Sequence, residues 1–206
     1  QAAAQKAWCV VSLLTEGDGN TPLSSEEQAD LIPNLAAREE LNEWERQNIL
    51  EAYVWALAAN NLRRRDPLVE PYVRDLHRRM FDQTWKWAGV YRTTEKNIGV
   101  PHYEIREQLA ALLGDARYWL DHKTYFPDEL AIRFHHRLVF IHPFANGNGR
   151  HARLMADVLA RRQGRPVFTW GGTDLVKAGG FRARYLHALR AADGHDIGPL
   201  LAFART

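Results

Sequence analysis

The chain has 206 residues, 46% of them hydrophobic and 25% charged, enough for one sizeable core but not two, so a single domain is expected. Its 27 Lys and Arg nearly balance 25 Asp and Glu, leaving a net charge of +2 with short basic knots at Arg63-Arg64-Arg65 and Arg161-Arg162; lacking interleaved aromatics, these read as solvated helix ends rather than a nucleic-acid surface. A single cysteine, Cys9, excludes an internal disulfide and a Cys-rich zinc site, and the apolar stretch of residues 7–14 is too short to span a bilayer. A soluble cytoplasmic protein is therefore expected.

Residues 16–33 are rich in Gly, Asp, Asn and Pro, and Ser24 precedes Glu27 by three positions, the spacing of a capping box. They predict a loop leading into a short helix. Over residues 38–60, Ile49, Tyr53, Ala56 and Leu57 recur at helical spacing. Pro67 or Pro71 opens the next predicted helix, with Val73, Leu76 and Met80 facing inward. Ile105, Leu109, Leu112, Leu113, Ala116 and Leu120 mark the clearest amphipathic helix, and Leu130, Phe134, Leu138 and Ile141 mark another that must stop near Pro143. Ala152, Met155 and Leu159 restart the period, and Phe181, Tyr185, Ala188 and Leu189 supply the last predicted helix. The fold class is all-α, with one exception: Val90, Tyr91, Thr93 and Thr94 favour extended backbone, punctuated by Gly99 and Pro101, so residues 89–103 predict a small β-hairpin flap.

Between two of these helices stands His142-Pro143-Phe144-Ala145-Asn146-Gly147-Asn148-Gly149-Arg150-His151-Ala152-Arg153. Two glycines around an asparagine allow positive φ and turn several N–H groups toward one point, an anion nest. A helix beginning near Asn148 adds the positive end of its dipole there. Arg150 and Arg153, three apart, share a helix face and can fork onto phosphate oxygens. Across the loop, the imidazole of His142 can take a hydroxyl proton near neutral pH. The string lacks the Lys-Ser/Thr ending of a P-loop.

This string closely resembles the signature of the Fic (Fic/Doc) family, HxFx[DE]GNGRxxR, matching it at His142, Phe144, Gly147, Asn148, Gly149, Arg150 and Arg153. Trp87-Ala88-Gly89-Val90-Tyr91-Arg92 resembles the lead-in to the family's flap, and Arg184-Tyr185-Leu186-His187-Ala188-Leu189 its closing helix. The resemblance covers roughly residues 65–205, dividing the chain into an N-terminal segment (1–64) and a Fic domain (65–206). Thr21-Pro22-Leu23 and Glu40-Leu41-Asn42-Glu43 are similar to the bacterial subgroup called mobile mystery protein B, often encoded beside a helix-turn-helix regulator or antitoxin.

The resemblance implies a protein adenylyltransferase. His142 would take the proton from a Ser, Thr or Tyr hydroxyl of a target protein, the hydroxyl oxygen would attack the α-phosphorus of ATP, and pyrophosphate would leave. Gly147, Asn148, Gly149, Arg150 and Arg153 would hold the nucleotide, Phe144 would brace the loop, and the flap, through Thr93, Thr94 and Lys96, would dock the target as an added strand. Mg²⁺ is the implied cofactor, accompanying ATP. One departure stands out: Asn146 replaces the acidic residue of the pattern. A neutral amide can still ligate Mg²⁺ but adds no charge. Family members with Lys at this place, such as Doc, transfer the terminal phosphate, so phosphotransfer is the alternative reaction, and a catalytically silent binding partner of a regulator is the alternative role. His135, His136, His142 and His151 could suggest a metal hydrolase, yet no acid stands among them at ligand spacing. Finally, many Fic proteins carry an inhibitory helix of pattern [ST]xxxE[GN] whose glutamate pairs with the second motif arginine. No clean copy exists here. Glu40, Glu43 and Glu45 nevertheless cluster N-terminal to the core, with Glu45 and then Glu43 the candidates and Arg153 the expected partner, against pairing with Arg38 and Arg46 at helical spacing.

Overall fold

The computed structural model describes residues 23–33, 38–172 and 180–206. Cys9, the apolar stretch of residues 7–14 and the Thr21-Pro22 pair lie outside these. The described chain is helical: α1 (Ser25–Ala29), α2 (Arg38–Leu57), α3 (Ala59–Arg64), α4 (Glu70–Phe81), α5 (Ile105–His122), α6 (Pro127–Ile141), α7 (Asn148–Arg162), α8 (Gly180–Asp193) and α9 (Gly198–Ala204), with 3₁₀ turns at His102–Glu104 and Trp170–Gly172. No described helix is long and apolar enough to cross a membrane.

Helices α6 and α7 form the centre. They pack against each other, and α2, α3 and α4 cover α7 while α5 and α9 cover α6. Their interior positions, among them Leu130, Phe134, Leu138, Ala152, Met155 and Leu159, are at most 2% exposed; burying the Leu, Phe and Met side chains contributes roughly 1.5–3 kcal/mol each. Local sequence sets the boundaries. Ser24 and Glu27 close the expected capping box on α1, Pro71 sits in the first turn of α4, and Pro127 opens α6. Helix α6 ends where His142 turns left-handed (φ 53°) ahead of Pro143, which cannot continue the helical bonds. The arginine knots fall in the last turns of α3 and α7, where cations favour the helix dipole.

Two expectations need correction. The flap is not a β-hairpin. Residues 89–103 contain turns and one isolated bridge, between Tyr91 and Phe144. The reason lies in where the backbone donors go: Arg92 N–H bonds the Pro143 carbonyl at 3.0 Å and Val100 N–H the Ile141 carbonyl at 3.4 Å, so the two arms bond the end of α6 and the loop after it rather than each other. Nor is α8 the last helix, because the apolar residues Leu200, Phe203 and Ala204 form α9 and are buried. Residues 23–33 run beside the flap root, with Ile32 N–H on Thr84 O and Lys86 N–H on Asp30 O.

Candidate active site

The loop between α6 and α7 is shaped from within. Asn148, 3% exposed, accepts the Phe144 N–H at 2.9 Å and donates to the Phe144 carbonyl at 2.8 Å. Its side chain thus closes the loop instead of facing outward. Gly147 adopts φ 78° at the N-cap of α7 without a side-chain cap, and a Cβ there would come within 2.5 Å of the Phe81 ring. Only glycine fits. The first-turn N–H groups of α7 consequently face the loop with the helix dipole behind them.

Beneath the loop lies a residue that the sequence reading passed over, His77 of α4. It is fully buried and stacks on Phe144 with centroids 3.7 Å apart. Its Nδ1 accepts the Gly89 N–H at 3.0 Å, so the proton sits on Nε2, which donates to the Asn146 carbonyl at 3.0 Å. One imidazole therefore joins the motif loop to the flap root. Burial, reinforced by nearby His151, pushes its pKa well below the usual value and keeps the ring neutral. The sequence signal was a histidine on the inward face of α4 between Leu76 and Met80.

His142 is buried at 5% exposure. Its carbonyl accepts Arg92 Nε at 2.7 Å, and its pKa is lowered to about 4, chiefly by burial and then by the charges of Arg92 and Lys96, with a backbone hydrogen bond at Val139 acting the other way. At neutral pH the imidazole is uncharged, the form a base requires. Thr93 and Thr94 of the flap are exposed. Lys96 is not presented outward: its ammonium is buried and pairs with Glu27 of α1 at 2.5 Å.

The two motif arginines have different surroundings. Arg150 pairs with Glu45 of α2 at 2.5 Å, the two side chains 21% and 12% exposed, donates to Asn146 Oδ1 at 3.2 Å and lies over the Phe81 ring. Glu45 also accepts the Trp85 indole N–H at 2.8 Å. The expectation that such a glutamate would meet Arg153 is thus corrected: Glu45 reaches Arg150 in the first turn of α7, while Arg153 is held over Tyr185 of α8. Glu43 points to solvent and pairs with Arg46 on its own helix. Arg153 lies over the Tyr185 ring at 5.5 Å, and burial lowers its pKa while the Tyr185 hydroxyl opposes that by hydrogen bonding. The same hydroxyl meets His135 Nε2 at 3.1 Å. His135 is driven to a pKa of about 3, first by burial and then by Arg153, so its ring stays neutral beside the hydroxyl whose oxygen receives Arg153.

Among the described residues no three His, Cys, Asp or Glu side chains are grouped to hold a metal. Asn146 Oδ1 accepts Gly147 N–H at 2.6 Å as well as Arg150. With one neutral oxygen already facing a guanidinium, these residues do not form a Mg²⁺ site of their own, and ligation by Asn146 requires Arg150 to yield.

Residues 67–160 match the Fic/DOC family model. The chain is 32% identical over 133 residues to the protein adenylyltransferase Fic of Nematostella vectensis, covering 63% of this chain and 30% of that protein, and 30% identical over 135 residues to that of Drosophila grimshawi, covering 64% and 26%. It thus spans less than a third of the length of these relatives. Among solved structures, Fic-1 (residues 134–508) of C. elegans matches with a TM-score of 0.61 at 25% identity over 100% of this chain and 59% of that one. The helical architecture and the motif loop agree with these matches, and over residues 67–160 the chain is similar to the Fic/DOC family.

Proposed function

We propose that this chain is a protein adenylyltransferase that moves AMP from ATP onto a hydroxyl side chain of a target protein. The observation that carries the reading is a neutral, buried His142 at the end of α6, joined by one short loop to the N-terminus of α7, whose first two turns carry Arg150 and Arg153. The target hydroxyl gives its proton to the His142 imidazole as its oxygen bonds to the α-phosphorus. The bond from that phosphorus to the α–β bridging oxygen breaks, and pyrophosphate departs. Gly147, Gly149 and the first-turn amides of α7 receive the phosphates, and Arg150 and Arg153 balance their charge. Any Mg²⁺ would arrive with the nucleotide substrate, and Asn146 would be its motif ligand once Arg150 has moved off the amide oxygen.

Arg150 is engaged by Glu45 in this conformation, so the N-terminal segment restrains nucleotide binding until that pair parts. The flap, exposed at Thr93 and Thr94, receives the target. The likeness of the N-terminal residues to mobile mystery protein B favours a helix-turn-helix regulator as a further partner, acting in the cytoplasm.

The test is incubation of the chain with a lysate and ATP labelled at either the α- or the γ-phosphate, followed by intact mass of labelled species. Label from the α-position and a nucleotide-sized adduct are expected, and His142→Ala should lower the rate by about 10²–10⁴ while leaving ATP affinity unchanged. A phosphate-sized adduct carrying the γ-label would replace the reading with phosphotransfer, and no covalent label would replace it with a binding role.

A further inference from the structure

The side chain of Arg92 is wholly buried in a stretch with almost no regular structure. Its Nε donates to the His142 carbonyl at 2.7 Å, Nη1 to the Thr94 carbonyl at 2.9 Å, and Nη2 to the Val100 carbonyl. Its own backbone N–H reaches the Pro143 carbonyl at 3.0 Å. The nearest carboxylate, Glu95, stands 3.8 Å away and is 59% exposed, so the buried charge is balanced mainly by carbonyl dipoles. Burial accordingly pulls the guanidinium below its usual pKa. Such a group is costly to bury, and an apolar side chain would serve packing better. What an apolar residue cannot supply is a planar fork that gathers three carbonyls from three places in the chain.

Two of those carbonyls belong to the two arms of the flap. The third belongs to His142, which holds a left-handed φ of 53°, a conformation that strains a non-glycine residue. Beside the fork, Gly99 (φ 104°) packs so closely that a Cβ there would come within 2.6 Å of His142 Cβ and 2.9 Å of Arg92 Nη2. The backbone of His142 is thus bonded by the Arg92 fork, and Gly99 packs closely against both.

We propose that Arg92 is a positioning residue for transfer, a clamp whose single guanidinium ties the backbone of His142 to both arms of the flap, so that base and target-docking segment keep one geometry. The inference rests on His142 being the base. The charged groups facing that imidazole are Arg92 and Lys96, with Glu27 on Lys96 and Glu95 beside Arg92. The phosphate-binding arginines lie on α7 and take no part in the clamp, so damage to it should fall on kcat and spare nucleotide affinity.

Three variants of the chain test this: Arg92→Lys, which keeps a charge but loses the fork, Arg92→Met, and Gly99→Ala, which wedges a methyl between His142 and Arg92. Arg92→Lys should lower kcat about 10- to 100-fold, the scale of a small misplacement of a reacting group, with ATP Kd within about 2-fold of the parent. Parent-like kcat in Arg92→Lys, or an equal loss of nucleotide affinity, would overturn the clamp. Should the Arg92 variants fail to fold, Gly99→Ala decides the matter: lowered kcat at parent-like Kd is expected, and a parent-like kcat refutes. A second readout is independent of transfer. In histidine-labelled protein, the His142 imidazole resonance, assigned by its loss in His142→Ala, should shift in Arg92→Lys and titrate closer to 6.5 in Arg92→Met. An unmoved signal in both overturns the clamp even when the parent transfers nothing, whereas a moved signal with an inactive parent upholds the clamp and sinks the proposed activity alone.

Discussion

Replacing Glu45 with alanine should make the protein bind ATP more tightly while making it less stable. The carboxylate holds Arg150 at 2.5 Å, the side chains being 12% and 21% exposed, and it is also the acceptor of the Trp85 indole N–H. A hydrogen bond to a charged group contributes about 1.5–3 kcal/mol. Because both partners keep some contact with water, the lower end applies. If phosphate must displace Glu45 from Arg150, removing the competitor should improve ATP Kd by about 10-fold, since about 1.4 kcal/mol corresponds to a factor of ten. The same deletion strands the indole N–H of Trp85, which is 2% exposed, and loses the ion pair. Together these should cost about 2 kcal/mol, or about 4–8 °C in Tm for a chain of this size. Calorimetric titration with ATP, α-labelled self-modification and thermal melts provide the three measurements. Glu43→Ala is the internal control, because its carboxylate sits in solvent beside Arg46 and should change none of them. Equal or weaker ATP binding in Glu45→Ala would refute the competition argument, whatever happens to Tm.

Other predictions concern separate parts of the site. Transfer should be nearly independent of pH from 8 down to about 5 and then fall, since the His142 pKa is lowered to about 4 and the base acts only when neutral; an apparent pKa near 6.5 in the kcat profile would contradict the buried environment. Tyr185→Phe keeps the ring beneath Arg153 but removes the hydroxyl between it and His135, so ATP Kd should rise about 5-fold at constant kcat, the effect of roughly 1 kcal/mol from one hydrogen bond, and unchanged Kd would deny Tyr185 an orienting role. Asn146→Asp adds a carboxylate where an amide now meets Arg150; half-maximal labelling should then require less Mg²⁺, as a titration of label against free Mg²⁺ would show, and an unchanged requirement would mean that residue 146 does not approach the metal.

Most of the helical layout was legible because apolar spacing, prolines and a capping box speak locally, as at Ser24, Pro71 and Pro127. The motif loop was legible for a related reason: glycine at 147 is demanded by its own φ and by the Phe81 ring, both consequences of a compact turn. What escaped were partners far apart in sequence. Val90, Tyr91, Thr93 and Thr94 did signal extended backbone, but propensity cannot say that their neighbours' N–H groups would bond residues 141 and 143 instead of a second strand. Equal spacing on one helix face made Arg150 and Arg153 look interchangeable, yet tertiary packing decides which one Glu45 touches. His77 escaped because a histidine among apolar positions of a helix looks like filler until both ring nitrogens are seen bonded, and α9 escaped because seven residues carry too little periodicity.

The imidazole of His77 has a consequence for which residues this position can tolerate. It must offer one donor and one acceptor on opposite sides of a flat ring, toward Asn146 and Gly89 respectively. A lysine or arginine would bring two donors and repel the Gly89 amide, an aspartate or glutamate would bring two acceptors and repel the Asn146 carbonyl, and an apolar residue would leave both amides without a partner. Acid has the same effect as the first of these, because a second proton on the ring turns its acceptor into a donor. The root of the flap and the bottom of the phosphate loop are therefore joined through a single proton count, and their spacing holds only while that ring carries one proton.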